Sequence, residues 1–327
     1  MVEFRSKLED IMVTEELRFN PSPSFGQYKL FLEQAIPHPA KMNTKLLKFL
    51  IKQFTKEGDT VLDPMCGSGS TGVVASLLNR NAVQVDIEKK FVDWAEQAKR
   101  KVEAQATLTP KGSIRNICGD SRKLSEILQK VDVIVTSPPY GEAQDGHGIA
   151  KEGYRGKKHS PTDLVGNRSY MPDKFESQQN ISKLKYDAVI TSPPYAHDSV
   201  VHKNRSGETQ VAKEKFGYSD FYSESEDNIG NLKKETYLEA MLKVYMEMFR
   251  VLKPDGKAII IIKPFIRNKK VVDLPYHTWL LLGRVGFKLV KLYKLRLKQD
   301  SFWRILYRKK YPRVPEIKHE YVIVTQK

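Results

Sequence analysis

The sequence predicts an α/β protein built on an open, mostly parallel sheet, and three observations carry that expectation. Short apolar runs of strand length recur along the chain and alternate with amphipathic segments of helix length, the order of a wound parallel sheet. The run Lys257-Ala258-Ile259-Ile260-Ile261-Ile262-Lys263 is apolar at successive positions, as a strand buried on both faces must be. The stretch Val61-Leu62-Asp63-Pro64-Met65-Cys66-Gly67-Ser68-Gly69-Ser70-Thr71-Gly72 passes from a strand to a helix through a turn too rich in glycine to continue either. Such a junction presents bare backbone N–H groups to a small polar ligand.

The elements follow in order. Residues 1–36 carry short helical patterns broken at Pro21-Ser22-Pro23. His38-Pro39-Ala40-Lys41-Met42 then leads into a helix with Leu46, Leu47, Leu50, Ile51 and Phe54 at spacings of three and four. A strand over 60–62, the glycine turn and a helix over 71–78 come next. The second strand, 82–86, ends in Asp86, and a helix over 91–104 leads to a third strand over 114–118. Gly119-Asp120-Ser121 closes that strand and starts another helix. The fourth strand, 131–135, delivers Thr136-Ser137-Pro138-Pro139-Tyr140. Tyr186-Asp187-Ala188-Val189-Ile190-Thr191-Ser192-Pro193-Pro194-Tyr195 then repeats the unit, and Asn-Ile-x-x-Leu recurs at 180–184 and 228–232. Two irregular copies mark a tandem duplication of strand and loop, too few for a solenoid. A helix over 237–252, the apolar strand over 257–263, an amphipathic helix over 274–283 and strands over 287–297 and 319–325 complete the chain, the last pairing back on its predecessor.

The bulk composition narrows the partner. A net charge of +16, from 55 Lys and Arg against 39 Asp and Glu, points to an anionic polymer or surface. Two cysteines are too few for a disulfide framework, and no Cys/His cluster has zinc spacing, so no metal is expected. No apolar run approaches the ~18 residues of a membrane span, and neither end reads as a signal peptide, so a soluble, cytoplasmic protein is expected.

Gly67-x-Gly69-x-x-Gly72 matches the letters of the dinucleotide fingerprint. In that fingerprint glycine directly follows the strand; here Asp63-Pro64 intervene and put a carboxylate at the strand tip. That suits an amine-bearing or cationic ligand better than a diphosphate. A nicotinamide-dependent dehydrogenase would also leave both Ser-Pro-Pro-Tyr copies and the positive charge unexplained. Asp86 stands where an open α/β site places an acid for ribose hydroxyls, although a strand-terminal turn also favours aspartate. Asp120 suits either an adenine amino group or a helix N-cap.

Ser-Pro-Pro-Tyr after a buried strand suits methylation of a conjugated amine. A hydroxyl and the adjacent proline carbonyl accept the two amino hydrogens as the nitrogen turns tetrahedral. The prolines stiffen the loop, and the tyrosine offers a stacking face. With these motifs in this order, residues 38–327 resemble the S-adenosylmethionine-dependent amino-methyltransferases. The resemblance implies a Rossmann-like class I methyltransferase fold, a seven-stranded, mostly parallel sheet with an antiparallel last strand and inserted substrate-binding segments. It implies a domain over 38–327 behind an N-terminal extension of 1–37, with the duplicated insert at about 141–235. The implied cofactor is S-adenosylmethionine, held by His38, Asp63, Pro64, Cys66, Gly67, Ser68, Gly69, Thr71, Asp86, Asp120 and Ser121. His38 also reads as a proline-bounded helix start.

The implied catalytic loop is either Ser137, Pro138, Pro139 and Tyr140 or Ser192, Pro193, Pro194 and Tyr195. The first copy follows Gly119-Asp120-Ser121 at ordinary spacing and has a narrow preference; the second leads into the following helix. Serine at the head of the motif is the form typical of cytosine-N4 enzymes, aspartate of adenine-N6 enzymes.

Residues 288–318 hold eleven Lys or Arg against two acids. In such a fold their hairpin lies at the cofactor end of the sheet, where Phe302, Trp303, Arg304, Arg308, Lys309 and Lys310 suit phosphate contact and base stacking. A solvated basic face with buried aromatics is the plainer alternative. Arg267, Lys269 and Lys270 are expected on the same rim. No segment is large enough to read a duplex sequence, which favours structured RNA over DNA. The layout also resembles archaeal-type proteins labelled DNA methylases, a group linked to cytosine-N4 methylation of small-subunit ribosomal RNA. Cytosine N4 in ribosomal RNA is therefore the expected target, with DNA cytosine-N4 or adenine-N6 methylation, or a catalytically inactive RNA-binding fold, as alternatives.

Overall fold

The computed structural model describes residues 3–19, 23–36, 38, 41–128, 188–191, 235–267, 269–297, 309 and 311–327. Its strands are β1 (Thr14–Leu17), β2 (Thr60–Asp63), β3 (Asn81–Asp86), β4 (Ile114–Cys118), β5 (Ala188–Thr191), β6 (Lys257–Ile262), β7 (Phe265–Arg267), β8 (Lys270–Val272), β9 (Lys288–Arg296) and β10 (His319–Gln326). Its α-helices are α1 (Lys29–Leu32), α2 (Thr44–Phe54), α3 (Ser70–Ser76), α4 (Lys89–Ala104), α5 (Leu124–Ile127), α6 (Glu235–Val251) and α7 (Leu274–Val285). Eight strands form one sheet in the order β1-β9-β10-β6-β5-β2-β3-β4, and β7 pairs with β8 in a separate hairpin.

Within the large sheet only β10 runs against its neighbours. The sheet therefore has the expected mixed character but one strand more than the expected seven. The addition is β1, which pairs in parallel with β9 where only short helical patterns were expected. Thr14-Glu15-Glu16-Leu17 has too little apolar alternation to read as a strand alone. It is fixed instead by burial of Leu17 and by backbone pairing from Thr14↔Leu292 to Leu17↔Leu295.

Alternation along the strands divides the core in two. Ala258, Ile260 and Ile262 of β6 face one layer with Leu62, Val85 and Ile323, covered by α5, α6 and α7. Ile259 and Ile261 face the other with Val61, Ala82, Val322 and Val324, covered by α1, α2, α3 and α4. Leu46, Leu47, Leu50 and Ile51 of α2 are all buried on that second face. Asn43 starts α2 by accepting from the Lys45 and Leu46 N–H groups, satisfying donors that the first turn leaves open.

Strand order reverses between β2 and β5, so a crevice opens outside the carboxyl ends of these two strands. The expected strand over 131–135 lies outside the described residues. The place between β2 and β6 is filled by 188–191, the strand of the second repeat, in register Val61↔Ala188 on one side and Ile190↔Ile259 on the other.

Residues ahead of β1 are tied to the far end of the molecule. Asp273 caps α7 through Tyr276 N–H at 3.2 Å, and also accepts from Ser6 Oγ at 2.7 Å and Lys7 N at 2.8 Å. Replacing Asp273 by alanine removes three hydrogen bonds and is expected to lower unfolding free energy by about 1–2 kcal/mol in urea titrations.

Candidate cofactor and catalytic site

The crevice is built on two carboxylates at adjacent strand tips. Asp63 ends β2 and Asp86 ends β3; they are 2% and 8% exposed. Alternation puts both on the face that carries Val61 and Gln84. Asp63 accepts from Thr71 Oγ1 at 2.6 Å and from Met65 N at 3.2 Å. Asp86 accepts from Gly67 N at 2.8 Å and Glu88 N at 3.0 Å, so the second strand tip holds the glycine turn directly. Neither forms an ion pair among the described residues. Burial pushes the Asp63 carboxyl well above the usual range, with Asp86 adding to the effect. Burial likewise raises Asp86 to about 6 against the opposing pull of its backbone hydrogen bonds.

The turn fits between these acids because of what its glycines lack. Gly67 has φ +48°, and a Cβ there would lie 2.8 Å from His38 Nε2. The His38 ring thus lies against the turn, 3% exposed, with its centroid 4.5 Å from Phe91 and 6.2 Å from Trp94 of α4. Gly69 stands at the head of α3. A Cβ on Gly72 would meet the Gln84 side chain at 2.5 Å, which is where that amide accepts from Gly72 N at 2.8 Å. Gln84 passes the contact on to Asn116 Oδ1 at 2.8 Å, and Asn116 to Glu96 Oε2 at 2.9 Å. This chain of amides ties the turn to β3, β4 and α4.

The remaining expected cofactor residues frame the same crevice. Pro64 follows Asp63, and its carbonyl accepts from the Ser121 hydroxyl, closing β4 onto the turn. Cys66 is buried, and its N–H donates to Val85 O at 3.0 Å; burial beside the two aspartates raises its thiol. Ser68 and Thr71 are buried, and Ser68 Oγ lies 3.4 Å from Ser70 Oγ. Asp120 takes the N-cap arrangement: it accepts from Arg122 N at 2.8 Å and pairs with the Arg122 guanidinium at 2.7 Å.

Ser137, Pro138, Pro139 and Tyr140 lie outside the described residues, as do Ser192, Pro193, Pro194 and Tyr195. The second set follows Thr191 directly in sequence, and Thr191 ends the strand beside β2. Of the basic rim, Phe302, Trp303, Arg304, Arg308 and Lys310 also lie outside the described residues, and Arg267 is placed by its backbone in β7. Lys269, Lys270 and Lys309 are exposed. Lys269 Nζ stands 4.9 Å over the Tyr311 ring, which joins the β7–β8 turn to the β9–β10 connection. Among the described residues no helix is long and apolar enough to cross a membrane, and no group of three His, Cys, Asp or Glu suits a metal ion.

Two further polar residues of the crevice end were not legible from sequence motifs. Gln84 carries a signal in retrospect, as the lone amide in the buried run Ala82–Val85. Glu320 is 5% exposed at the start of β10 and belongs to no motif used above.

Residues 20–98 match a family model described as a DNA methylase, N6_N4_Mtase. The matched stretch includes β2, the glycine turn, β3 and the body of α4. The Type II methyltransferase M2.DpnII of Streptococcus pneumoniae is 43% identical over 68 residues, 21% of this chain and 24% of that protein. A tRNA (guanine(10)-N2)-dimethyltransferase of Methanothermobacter thermautotrophicus is 33% identical over 120 residues, 35% of this chain and 33% of that protein. The chain thus spans no more than about a third of either relative. The crystal structure of TrmN from Thermus thermophilus aligns over 90% of this chain and 52% of its own, with TM-score 0.42 and 14% identity.

The raised Asp86 carboxyl gives a stability prediction. With an unfolded value near 3.8 and a folded value of about 6, the folded state binds the extra proton between these limits. Its contribution is fully present below about pH 4 and is lost as pH rises to about 6. The unfolding free energy of the wild type relative to Asp86→Asn is expected to fall by roughly 2–3 kcal/mol across that window. Urea titrations at closely spaced pH values check it; a flat difference would contradict it.

Proposed function

We propose that this chain is an S-adenosylmethionine-dependent methyltransferase acting on an exocyclic amine of a nucleobase, with cytosine N4 in structured, ribosomal-type RNA as the favoured target. The observation that carries the reading is the juxtaposition of two uncompensated carboxylates at one edge of the switch point with a strand that leads into Ser-Pro-Pro-Tyr at the other. Buried acids without a cation of their own suit a ligand bearing an ammonium and a sulfonium. The family match over 20–98 covers this part of the chain and supports the same reading.

S-Adenosylmethionine supplies an electrophilic methyl group. The chain's residues then bind, orient and accept hydrogens. Asp63 holds the amine end of the cofactor, and Asp86, already spanned by the Gly67 N–H, keeps the turn in place and faces the ribose. His38 walls the pocket against Phe91 and Trp94. Asp120, with its carboxylate committed to Arg122, bounds the adenine end through that pair. The target base leaves its stack to reach this depth. Ser192 Oγ and the Pro193 carbonyl accept the two amino hydrogens, so the nitrogen lone pair is released toward the methyl group as the hydrogens are drawn away. The surplus proton passes to solvent, and Tyr195 stacks on the base.

The sheet supports the second repeat over the first. The strand of 188–191 is bonded to both β2 and β6, so among the described strands no place beside β2 remains for another. This reverses the narrow preference that spacing gave to Ser137. Lys269, Lys270 and the 298–313 segment supply phosphate contacts, and their salt-dependent hold on RNA is sequence-independent. The matching family model is described as a DNA methylase and one relative is named for tRNA, and DNA is the alternative polymer.

Nucleoside mass spectrometry of ribosomal RNA and DNA, from cells with and without the gene, identifies the product. N4-methylated cytidine lost from RNA alone is the expected result; a loss confined to DNA would transfer the reading to the alternative. In vitro, Ser192→Ala is expected to reduce turnover at least a hundredfold with cofactor affinity retained, and Ser137→Ala to leave turnover within a fewfold. The opposite pattern would return catalysis to the first repeat. Asp63→Ala is expected to abolish cofactor binding in calorimetry.

A further inference from the structure

Glu320 is a carboxyl group in a place that does not explain it. It is 5% exposed, its Oε1 meets no hydrogen-bond partner among the described residues, and burial alone raises it to about 8. Directly across β9 it faces Leu295, which in turn pairs with Leu17 of β1. A strand interior of this kind calls for valine or isoleucine, and its next two same-face neighbours along β10 are Val322 and Val324. A buried carboxyl oxygen left unsatisfied is a cost that folding alone gives no reason to keep.

Its position in the sheet supplies a reason. β10 is the one antiparallel strand, so its first residues lie at the carboxyl ends of the parallel strands, where the crevice opens. Tyr321 pairs with Ile262, the last residue of β6, so Glu320 stands one step beyond the end of that strand. It shares the face of Asp63 and is separated from β5 by β6 alone, about 10 Å across two strand spacings. From β2 and Asp63 it is a third spacing further, about 14 Å, and from Asp86 on β3 a fourth, about 19 Å. Thus it stands on the target side of the catalytic strand. It also stands at the root of the β9–β10 connection, the basic segment proposed to grip the polymer. The backbone there is held by Leu297 N to Lys318 O at 2.8 Å and Phe4 N to Glu316 O at 2.8 Å.

We propose that Glu320 is a base-recognition residue whose carboxyl reads the ring nitrogen beside the target amine, an acceptor in cytosine and adenine. In the acid form, favoured at neutral pH, the O–H donates to that ring nitrogen, while both amino hydrogens stay with Ser192 and Pro193. Uracil and guanine carry a ring N–H at the same position, which a carboxyl O–H fixed toward it meets donor to donor. The inference rests on the methyltransferase reading and adds the group that selects the base.

The test compares Glu320→Leu and Glu320→Gln with wild type in the full chain. Thermal melting, S-adenosylmethionine affinity by calorimetry, and kcat/KM for methyl transfer to ribosomal RNA are measured together. Glu320→Leu is expected to melt no lower than wild type and to bind cofactor equally, while kcat/KM for RNA falls at least tenfold. Glu320→Gln, which keeps a donor and an acceptor, is expected to recover a substantial part. Unchanged RNA turnover in Glu320→Leu would overturn the assignment and leave the functional reading standing. A lower melting temperature with a matching loss of cofactor affinity would make Glu320 a structural residue and overturn it likewise. A wild-type chain that binds cofactor but transfers no methyl group would defeat the functional reading itself, and this inference with it.

Discussion

Two buried carboxylates with no cation between them among the described residues set the terms for this protein. Asp63 and Asp86 sit at neighbouring strand tips, and the charged groups acting on them are other acids. Thr71, Met65 and Gly67 of the glycine turn and its flanks donate to them, and Glu88 N at the start of α4 donates to Asp86. Such an arrangement is costly in an empty pocket and favourable around a bound cation. It also demands a turn that lies close to both tips, which explains why glycine is needed against His38 and against Gln84.

The rest of the sheet positions this pair. The strand-order reversal at β2 and β5 places the acids on one lip of the crevice and the lead-in to a Ser-Pro-Pro-Tyr loop on the other. The antiparallel β10 brings residues from the end of the chain back to the same rim, with Lys269 stacked over Tyr311 beside it. The N-terminal β1 extends the far edge. Its links through Asp273 and through Glu9 to Tyr321 and Lys294 hold the start of the chain to α7 and the last strands.

Much of this was legible from sequence, and the failures have physical causes. The strands at Thr60–Asp63, Asn81–Asp86 and Lys257–Ile262 announce themselves by apolar residues bounded by turn residues. Their order in the sheet follows from a resemblance rather than from periodicity. β1 was missed because Thr14-Glu15-Glu16-Leu17 carries two glutamates and one core residue; edge pairing, a non-local interaction, makes it a strand. The two Ser-Pro-Pro-Tyr copies look alike locally, so local spacing could not choose between them. The bonding of 188–191 to both neighbours is non-local information that the repeats themselves do not carry. The N-cap role of Asp120 competes with ligand binding in any Gly-Asp-Ser, and its pairing with Arg122 is a detail that the motif does not announce. Gln84 and Glu320 fall within strands whose pattern predicts burial, and polar function inside such runs leaves no periodic trace.

The account depends on the acid pair receiving a cationic ligand, and proton linkage measures that directly. With Asp86 at about 6 and Asp63 also raised, a bound cation must drive protons off the pair when added near pH 6. Calorimetric titration with S-adenosylmethionine at pH 6, in buffers of different ionisation enthalpy, reports the protons released per ligand bound. One-to-one binding with net proton release at pH 6 is the predicted result. Tight binding with no proton exchange at pH 6, or no binding at all, would contradict it.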